Sequence, residues 1–202
     1  LSNRLEEAQR WLARAVELKP DEQAWKGLLG ETYYRRDDFE RAAPLFAAAG
    51  HEAKAKKLAS FKDTRPYRIE GSAQVSHVKF VHTDPLPLVR VKINSSEEVN
   101  FIIDTGAGEV VIDTEFAKKV GAADFGVEQG TFGGDLKADT GQGRVDSLTV
   151  GDFVVRNVPV SILSTRRFAA AARGKQVDGI IGTVLLYHFL STLDYPSGEL
   201  TL

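Results

Sequence analysis

The sequence predicts an α+β chain, in which N-terminal helical hairpins precede a mostly β, barrel-like domain. Up to about Ser60, apolar residues recur at three- and four-residue steps, as in Leu5, Ala8, Trp11, Leu12 and Ala15. Ala, Leu, Glu, Arg and Lys surround them, the residue types that favour helix. Beyond Ser72 the period changes to short alternating or continuous β-prone runs, broken by Gly, Pro, Asn and Ser. The expected division is a helical region over 1–60, a linker over 61–72 and a β domain over 73–202.

Composition narrows the function classes. At 202 residues the chain holds one large domain or two small ones. A formal net charge of −2 gives no broad pull toward nucleic acid or anionic membrane, and neither is expected as a partner. No apolar run reaches the roughly 18 residues of a spanning helix, so a soluble protein of bacterial periplasm or cytoplasm is expected. The absence of cysteine excludes disulfides and thiolate metal sites. No metal or other cofactor is expected. The chain lacks methionine and opens on Leu1, which reads as a processed chain with any leader upstream.

Within the helical region, Pro20-Asp21 and Gly50-His51 punctuate the pattern. Leu29, Gly30, Tyr33, Ala42, Phe46 and Ala49 have the spacing of a tetratricopeptide helix pair. A step back of 34 residues from Ala42, Phe46 and Ala49 lands on Ala8, Leu12 and Ala15. The region resembles one whole tetratricopeptide repeat, preceded by the second helix of another and followed by a capping helix over Glu52 to Ser60. Small residues suit close helix crossings and aromatics interlock them. The plainer alternative is an amphipathic hairpin that only packs on its neighbour. A lone repeat rarely folds by itself, so further repeats are expected before Leu1, and such repeats could hold a partner protein.

The β domain reads in order. Val75, Val78, Phe80 and Val81 suggest a first strand, and Leu88, Val89, Val91 and Ile93 a second. Asn94-Ser95-Ser96 turns the chain into Val99–Ile103. Val110–Ile112 follows, then a short helix from Thr114 to Val120 ending at Gly121. Further strands are expected around Val145–Val150, Phe153–Val155 and Val158–Leu163. The apolar stretch Val177–Gly182 leads into a helix through Phe189. Leu193, Tyr195, Pro196-Ser197-Gly198 and Leu200 then form a closing strand-turn-strand.

Chemistry centres on Phe101-Ile102-Ile103-Asp104-Thr105-Gly106-Ala107. An apolar strand delivers one carboxylate to a Thr-Gly turn, aiming Asp104 at an interior or a cleft rather than at bulk water. A buried carboxylate is costly unless it is paired or shares a proton. The triplet alone does not identify a site, since Asp-Thr/Ser-Gly arises by chance in roughly one such chain in ten. A second copy, Asp139-Thr140-Gly141, makes the point. Leu136-Lys137-Ala138 reads as a poor buried strand, Gln142-Gly143-Arg144 does not continue one, and no apolar-apolar-Gly motif of its own follows. Asp139 is therefore not read as catalytic.

The order of the Asp104 segment, the Gly-rich stretch Gly130–Gly143 and Ile180-Ile181-Gly182 resembles the retropepsin-like aspartic proteases, over about Pro87 to Leu202. It is similar above all to their bacterial branch, with Asp178–Gly182 leading into a helix and Leu193–Pro196 into the final hairpin. The resemblance implies a single-lobed acid-protease barrel and an aspartic endopeptidase completed by homodimerisation. Metal-free amide hydrolysis needs a base for water and an acid for the carbonyl oxygen. Two carboxylates sharing one proton serve as both, most readily at acidic to mildly acidic pH. With one suitable Asp per chain, two-fold symmetry supplies the other.

By that resemblance Asp104, Thr105 and Gly106 form the catalytic loop. Thr105 ties two such loops across the axis, and Gly106 lets a substrate backbone approach. Ala107 and Gly108 line the cleft, while Ile180, Ile181 and Gly182 support the loop from beneath. The flap tip is placed at Thr131–Asp135, with Phe132, Gly133 and Gly134 over a peptide or protein substrate; an ordinary surface hairpin is the alternative. Retroviral members usually carry an Asp at Gly108 and an Arg at Thr183, which pair. Both are missing here, leaving no unmatched charge. The contrasting function is a non-catalytic peptide-binding scaffold with a dimerising pseudo-protease domain.

Other groupings carry less. Gly106-Ala107-Gly108 lacks the third glycine and following helix of a dinucleotide fingerprint, with Val111 in the glycine's place. His77, His82 and Asp84 read as a surface loop, in the absence of a Gly-x-Ser-x-Gly or His-Glu-x-x-His motif. Arg166-Arg167 and Arg173-Gly174-Lys175 read as a solvated loop, with binding of an acidic substrate as the alternative.

Overall fold

Helix-forming composition produces four consecutive helices in the computed structural model, which describes residues 4–132, 136–170 and 172–202. They are α1 (Leu5–Leu18), α2 (Gln23–Tyr34), α3 (Phe39–Ala48) and α4 (Glu52–Ala59), each packed on the next. The expected breaks at Pro20 and Gly50 fall between helices, and Gly50 takes φ +86° where α3 ends. Among the described residues no helix is long and apolar enough to cross a membrane.

The β elements follow. They are β1 (Arg68–Glu70), β2 (His77–Lys79), β3 (Leu88–Ile93), β4 (Val99–Ile103), β5 (Val110–Ile112), α5 (Thr114–Lys119), β6 (Ala123–Phe132), β7 (Leu136–Val150) and β8 (Phe153–Ile162). After a 3₁₀ turn at Arg166–Phe168 come β9 (Gly179–Ile181), α6 (Thr183–Leu186), β10 (Thr192–Asp194) and β11 (Glu199–Thr201). The overall class is α+β, as the sequence predicts.

The chain divides into two units, Leu1–Arg65 with Phe125–Gln142 and Pro66–Asp124 with Gly143–Leu202. In the first unit α2 and α3 cross where side chains are small. A Cβ on Gly30 would lie 3.3 Å from Leu45 Cβ and 3.4 Å from the Phe46 ring. Tyr34 stacks on Phe39 at 5.3 Å between ring centres, and Phe61 meets Phe39 edge-on at 5.1 Å. These aromatics are almost wholly buried.

The outer part of the β6–β7 hairpin belongs to this helical unit. None of α4's own side chains caps its N-terminus. Glu128 of β6 does so instead, its Oε1 accepting from Lys54 N at 2.7 Å while Oε2 lies 3.3 Å from His51 Nδ1. A carboxylate there satisfies an otherwise unpaired N–H and meets the positive end of the helix dipole. Gly126, at φ +114°, brings the strand close, and a Cβ on it would lie 3.3 Å from Ala53 Cβ.

In the second unit an eight-stranded sheet runs β1-β8-β5-β9-β4-β3-β7-β6, and a β7–β8 pairing closes its middle six strands into a barrel. A smaller sheet, β10-β11-β2, lies beside it in the topology. The short central strand β9 runs parallel to β4 (Phe101↔Gly179, Ile103↔Ile181) and antiparallel to β5 (Val111↔Ile180). Strands β4, β5 and β9 are continuous apolar runs because neighbours cover both their faces. Gly179 is obligatory between them: a Cβ there would lie 2.3 Å from Phe101 Cζ and 2.4 Å from Val111 O.

Several elements differ from expectation. The segment expected as a linker holds β1, paired with β8, and buries Phe61 and Tyr67. The two strands expected over 153–163 are one, with Asn157 at φ +57° within it. The helix expected through Phe189 is regular only to Leu186. Most tellingly, Leu136–Val150 is one long strand, so Gln142-Gly143-Arg144 does continue it. Residues 140–143 are buried in succession, and a Cβ on Gly143 would lie 2.8 Å from Ile162 Cδ1 and 2.9 Å from Ala123 O, so the glycine admits close neighbours rather than ending the strand.

Glu128→Ala is expected to remove about 1 kcal/mol of capping stabilisation. For a chain of this size that lowers the thermal midpoint by roughly 2–4 °C. Glu128→Gln, which keeps an acceptor, should lose less. Calorimetry on both variants checks this, and an unshifted Glu128→Ala transition would exclude the capping role.

Candidate active site

Strand β4 ends at Ile103 fully buried, and the next residue turns out of the sheet. Asp104 is half-buried, while Thr105 and Gly106 are exposed. Of the two settings expected for Asp104, an interior or a cleft, the interior is not the one seen in the single chain: the strand is interior, and the half-buried carboxylate sits at its mouth. Gly106 N donates to Asp104 Oδ1 at 2.8 Å and Ala107 N to Asp104 O at 3.1 Å. A Cβ on Gly106 would lie 3.1 Å from that Oδ1. Glycine here protects the carboxylate's own hydrogen bond, a reason separate from substrate approach.

The segment after β9 suspends the loop. Asp104 N donates to Ile181 O at 3.0 Å. Ala107 O accepts from Thr183 N at 2.9 Å and from Thr183 Oγ1 at 3.1 Å, and Val184 N donates to Gly108 O at 2.9 Å. A Cβ on Gly182 would collide with Glu109 O at 2.3 Å and Ala107 O at 2.8 Å. Ile180, Ile181 and Gly182 therefore lie against the Asp104 loop, with both isoleucines buried. Where retroviral relatives would place an ion pair, Thr183 and two main-chain donors bind loop carbonyls instead. Farther along, Ser161 Oγ donates to Glu109 Oε2 at 2.8 Å, tethering the loop's far end to β8.

A second layer, not singled out in the sequence, fixes β9 itself. Asp113 Oδ1 accepts from Glu115 N (3.0 Å) and Phe116 N (3.4 Å), capping α5. Its Oδ2 accepts from Thr165 N at 3.0 Å. The single Thr165 hydroxyl proton is shared between that oxygen, 3.2 Å away, and Val177 O. Asp113 N donates to Asp178 O, and Asp178 N to Asn100 O, both at 2.8 Å. The readable signal was the Asp-Thr-Glu-Phe start of α5, an N-cap pattern. Burial opposes the charge on Asp113, but the hydrogen bonds it accepts outweigh burial and hold its carboxyl below the usual carboxylate range.

The remaining candidates separate clearly. Gly108 is exposed and Ala107 half-buried beside the loop. Gly133 and Gly134 lie outside the described residues, and Phe132 is the last residue of β6. Asp139 is exposed and lies within β7, near its start, rather than on the turn after a buried strand. His77 Nδ1 lies 2.7 Å from Glu199 Oε1 and 3.4 Å from Thr201 Oγ1. One ring nitrogen facing both groups cannot relay a proton between them. Among the described residues no group of three or more His, Cys, Asp or Glu is placed to hold a metal.

Asp113→Asn tests the supporting layer. A depressed folded-state pKa contributes stability above the ordinary Asp value of 3.8, and loses it as pH falls through the folded value. The variant is expected to be less stable at neutral pH by on the order of 1–3 kcal/mol. The gap to wild type should close in strong acid. Urea melts across pH measure this, and a gap independent of pH would refute the assignment.

Residues 89–185 match the family model described as aspartyl protease. None of the curated proteins matches the chain. Among solved structures it is similar to a retropepsin-like aspartic protease from Rickettsia conorii, at 18% identity and TM-score 0.45, over 67% of this chain and 92% of that one. It is also similar to the retroviral protease-like domain of Ddi1 from Leishmania major (18%, TM-score 0.34, 54% and 81%). The EIAV protease in complex with the inhibitor HBY-793 is a third (20%, TM-score 0.33, 55% and 95%). The assignment rests on the family match and the Asp104 loop rather than on these likenesses. By that match the β domain resembles an aspartyl protease over residues 89–185.

Proposed function

We propose that the chain is an aspartic endopeptidase whose active site forms when two copies bring their Asp104 loops together. The observation that carries this is the geometry of one loop. A carboxylate at the mouth of a buried strand accepts one main-chain hydrogen bond, from Gly106 N, on a backbone held by Ala107 N and Ile181 O, with Thr105 and Gly106 exposed beside it. Such a loop is rigid, accessible and half of a two-carboxylate centre.

In the dimer one Asp104 is charged and the other protonated. The charged carboxylate takes a proton from water as the oxygen attacks the scissile carbonyl. The protonated one gives its proton to the carbonyl oxygen, so a neutral tetrahedral diol forms. Collapse returns a proton to the carboxylate pair, while the amide nitrogen takes the other and leaves as amine. Thr105 ties the two loops across the axis, and an extended peptide hydrogen-bonds to strand edges. Ala107 and Gly108 line the cleft. The helical hairpins serve as tetratricopeptide-like repeats that hold a partner protein or the substrate.

Asp104→Asn is expected to cut peptide cleavage by at least about 10²–10⁴-fold, with the dimer intact by light scattering. Turnover close to wild type by this variant would end the proposal. A dimer that cleaves no peptide from a library at any pH would favour a binding scaffold.

Asp139→Asn is expected to keep most activity, because Asp139 is an exposed position within β7. A dead Asp139→Asn enzyme of normal stability would place the second triplet in the chemistry.

A further inference from the structure

From Ser164 to Gln176 the chain holds four cations, Arg166, Arg167, Arg173 and Lys175, and no carboxylate, although the whole protein carries net charge −2. All four are exposed. Among the described residues no carboxylate pairs with Arg166 or Lys175. Arg173 serves as an anchor, its Nε donating to Asp84 O at 2.9 Å with Nη2 3.7 Å from Asp84 Oδ2. The Arg167 guanidinium rests over the Phe168 ring at 4.9 Å. Gathering like charges on one short loop is unfavourable without an anion to face them.

This loop is not a floppy excursion. Thr165 is wholly buried and held by Asp113, and Ala172 is wholly buried in a cluster with Leu88, Ile102, Val111, Val177 and Ile180. Phe168, Leu163 and Ala107 pack against that same cluster. Ala107 belongs to the Asp104 loop. The cation loop also runs directly into β9, whose last carbonyl receives the Asp104 N–H. The main chain that carries the cations and the Asp104 loop are thus mounted on one apolar patch, so the cations project from a fixed backbone.

We propose that Arg166, Arg167 and Lys175 make this site selective for acidic peptides, recognising Asp or Glu near the scissile bond. The proposal rests on the peptidase reading and names its substrate class. Four cations on a chain of net negative charge suit a short acidic segment better than a nucleic-acid backbone, which asks for a broad positive surface. Hydrogen-bonding arginine and a flexible lysine suit carboxylates at variable positions.

The test uses fluorogenic octapeptides with a central Phe-Phe bond, the other six positions filled by Glu, Gln or Lys in turn. Cleavage of Glu-rich peptides is expected to exceed that of their Gln counterparts roughly tenfold in kcat/KM at low salt, with the advantage shrinking as salt screens it. Arg166→Gln/Arg167→Gln/Lys175→Gln should bring that ratio to about one, whereas Arg166→Lys/Arg167→Lys should preserve most of it. Equal wild-type rates on Glu and Gln peptides, or a ratio untouched by the triple variant, would overturn the proposal. If wild type cleaves none of the peptides, the peptidase reading fails and binding still decides selectivity. Fluorescence anisotropy of labelled Glu and Gln peptides on the Asp104→Asn dimer must then show a Glu preference that the added triple substitution erases. Tighter binding of an octathymidylate through the same three residues would assign the loop to nucleic acid instead.

Discussion

The Asp104 loop hangs from strand β9, and most of the β domain can be understood as what makes that suspension rigid. Four hydrogen bonds from or to residues 181–184 fix the backbone of residues 104–108. Two contacts leave no room for a side chain, at Gly179 between β4 and β5 and at Gly182 beneath the loop. A three-residue strand is too short to hold its own position by pairing alone. It is held because β4 and β5 flank it, and because Asp113 and Thr165 fasten the segment entering it. A catalytic carboxylate must be placed to within about half an ångström to be useful. Main-chain hydrogen bonds to a buried strand supply that placement where a flexible side chain could not.

The helical unit uses the same economy in another form. Glu128 reaches from a hairpin to the uncapped start of α4, and His51 on that start lies beside the same carboxylate. Lys54 is held in place as well, its ammonium 3.2 Å from Glu31 and over the rings of Tyr34 and Phe46 at 4.6 and 4.2 Å. One helix turn thereby joins a strand, two aromatic rings and two carboxylates. The outer hairpin consequently belongs with the helices rather than with the strands that continue it.

Much of this was legible in the sequence, and the failures share a cause. Asp104 and Ile180–Gly182 stood out because each sits at the end of a continuous apolar run, which only a strand covered on both faces needs. Gly30 of α2 showed as a small residue at a helix crossing. By contrast, β1 (Arg-Ile-Glu) has no apolar run, since it pairs at the edge of β8 with two of its three residues exposed. The Glu128–Lys54 cap joins residues 74 apart and has no local signature. The long β7 strand was misread because Gly143 was weighed as a break, whereas it is buried where neighbouring strands leave no room for a side chain. Thr183 was noticed for the arginine it replaces, while its actual service, hydroxyl and amide on one carbonyl, is visible only in three dimensions.

That replacement also changes the electrostatics of the site. Gly108 and Thr183 stand where retroviral relatives usually place a paired Asp and Arg, so neither charge is present beside the loop. Glu109, the next carboxylate along, is hydrogen-bonded to Ser161. Asp113 and Asp178 accept backbone N–H groups within the supporting layer. The exposed charge on the segment entering β9 is then that of three arginines and a lysine, of which Arg173 lies beside Asp84. Under the peptidase reading proposed above, the fixed backbone of the Asp104 loop would serve the main chain of a substrate, and the cations on the segment entering β9 would serve its side chains.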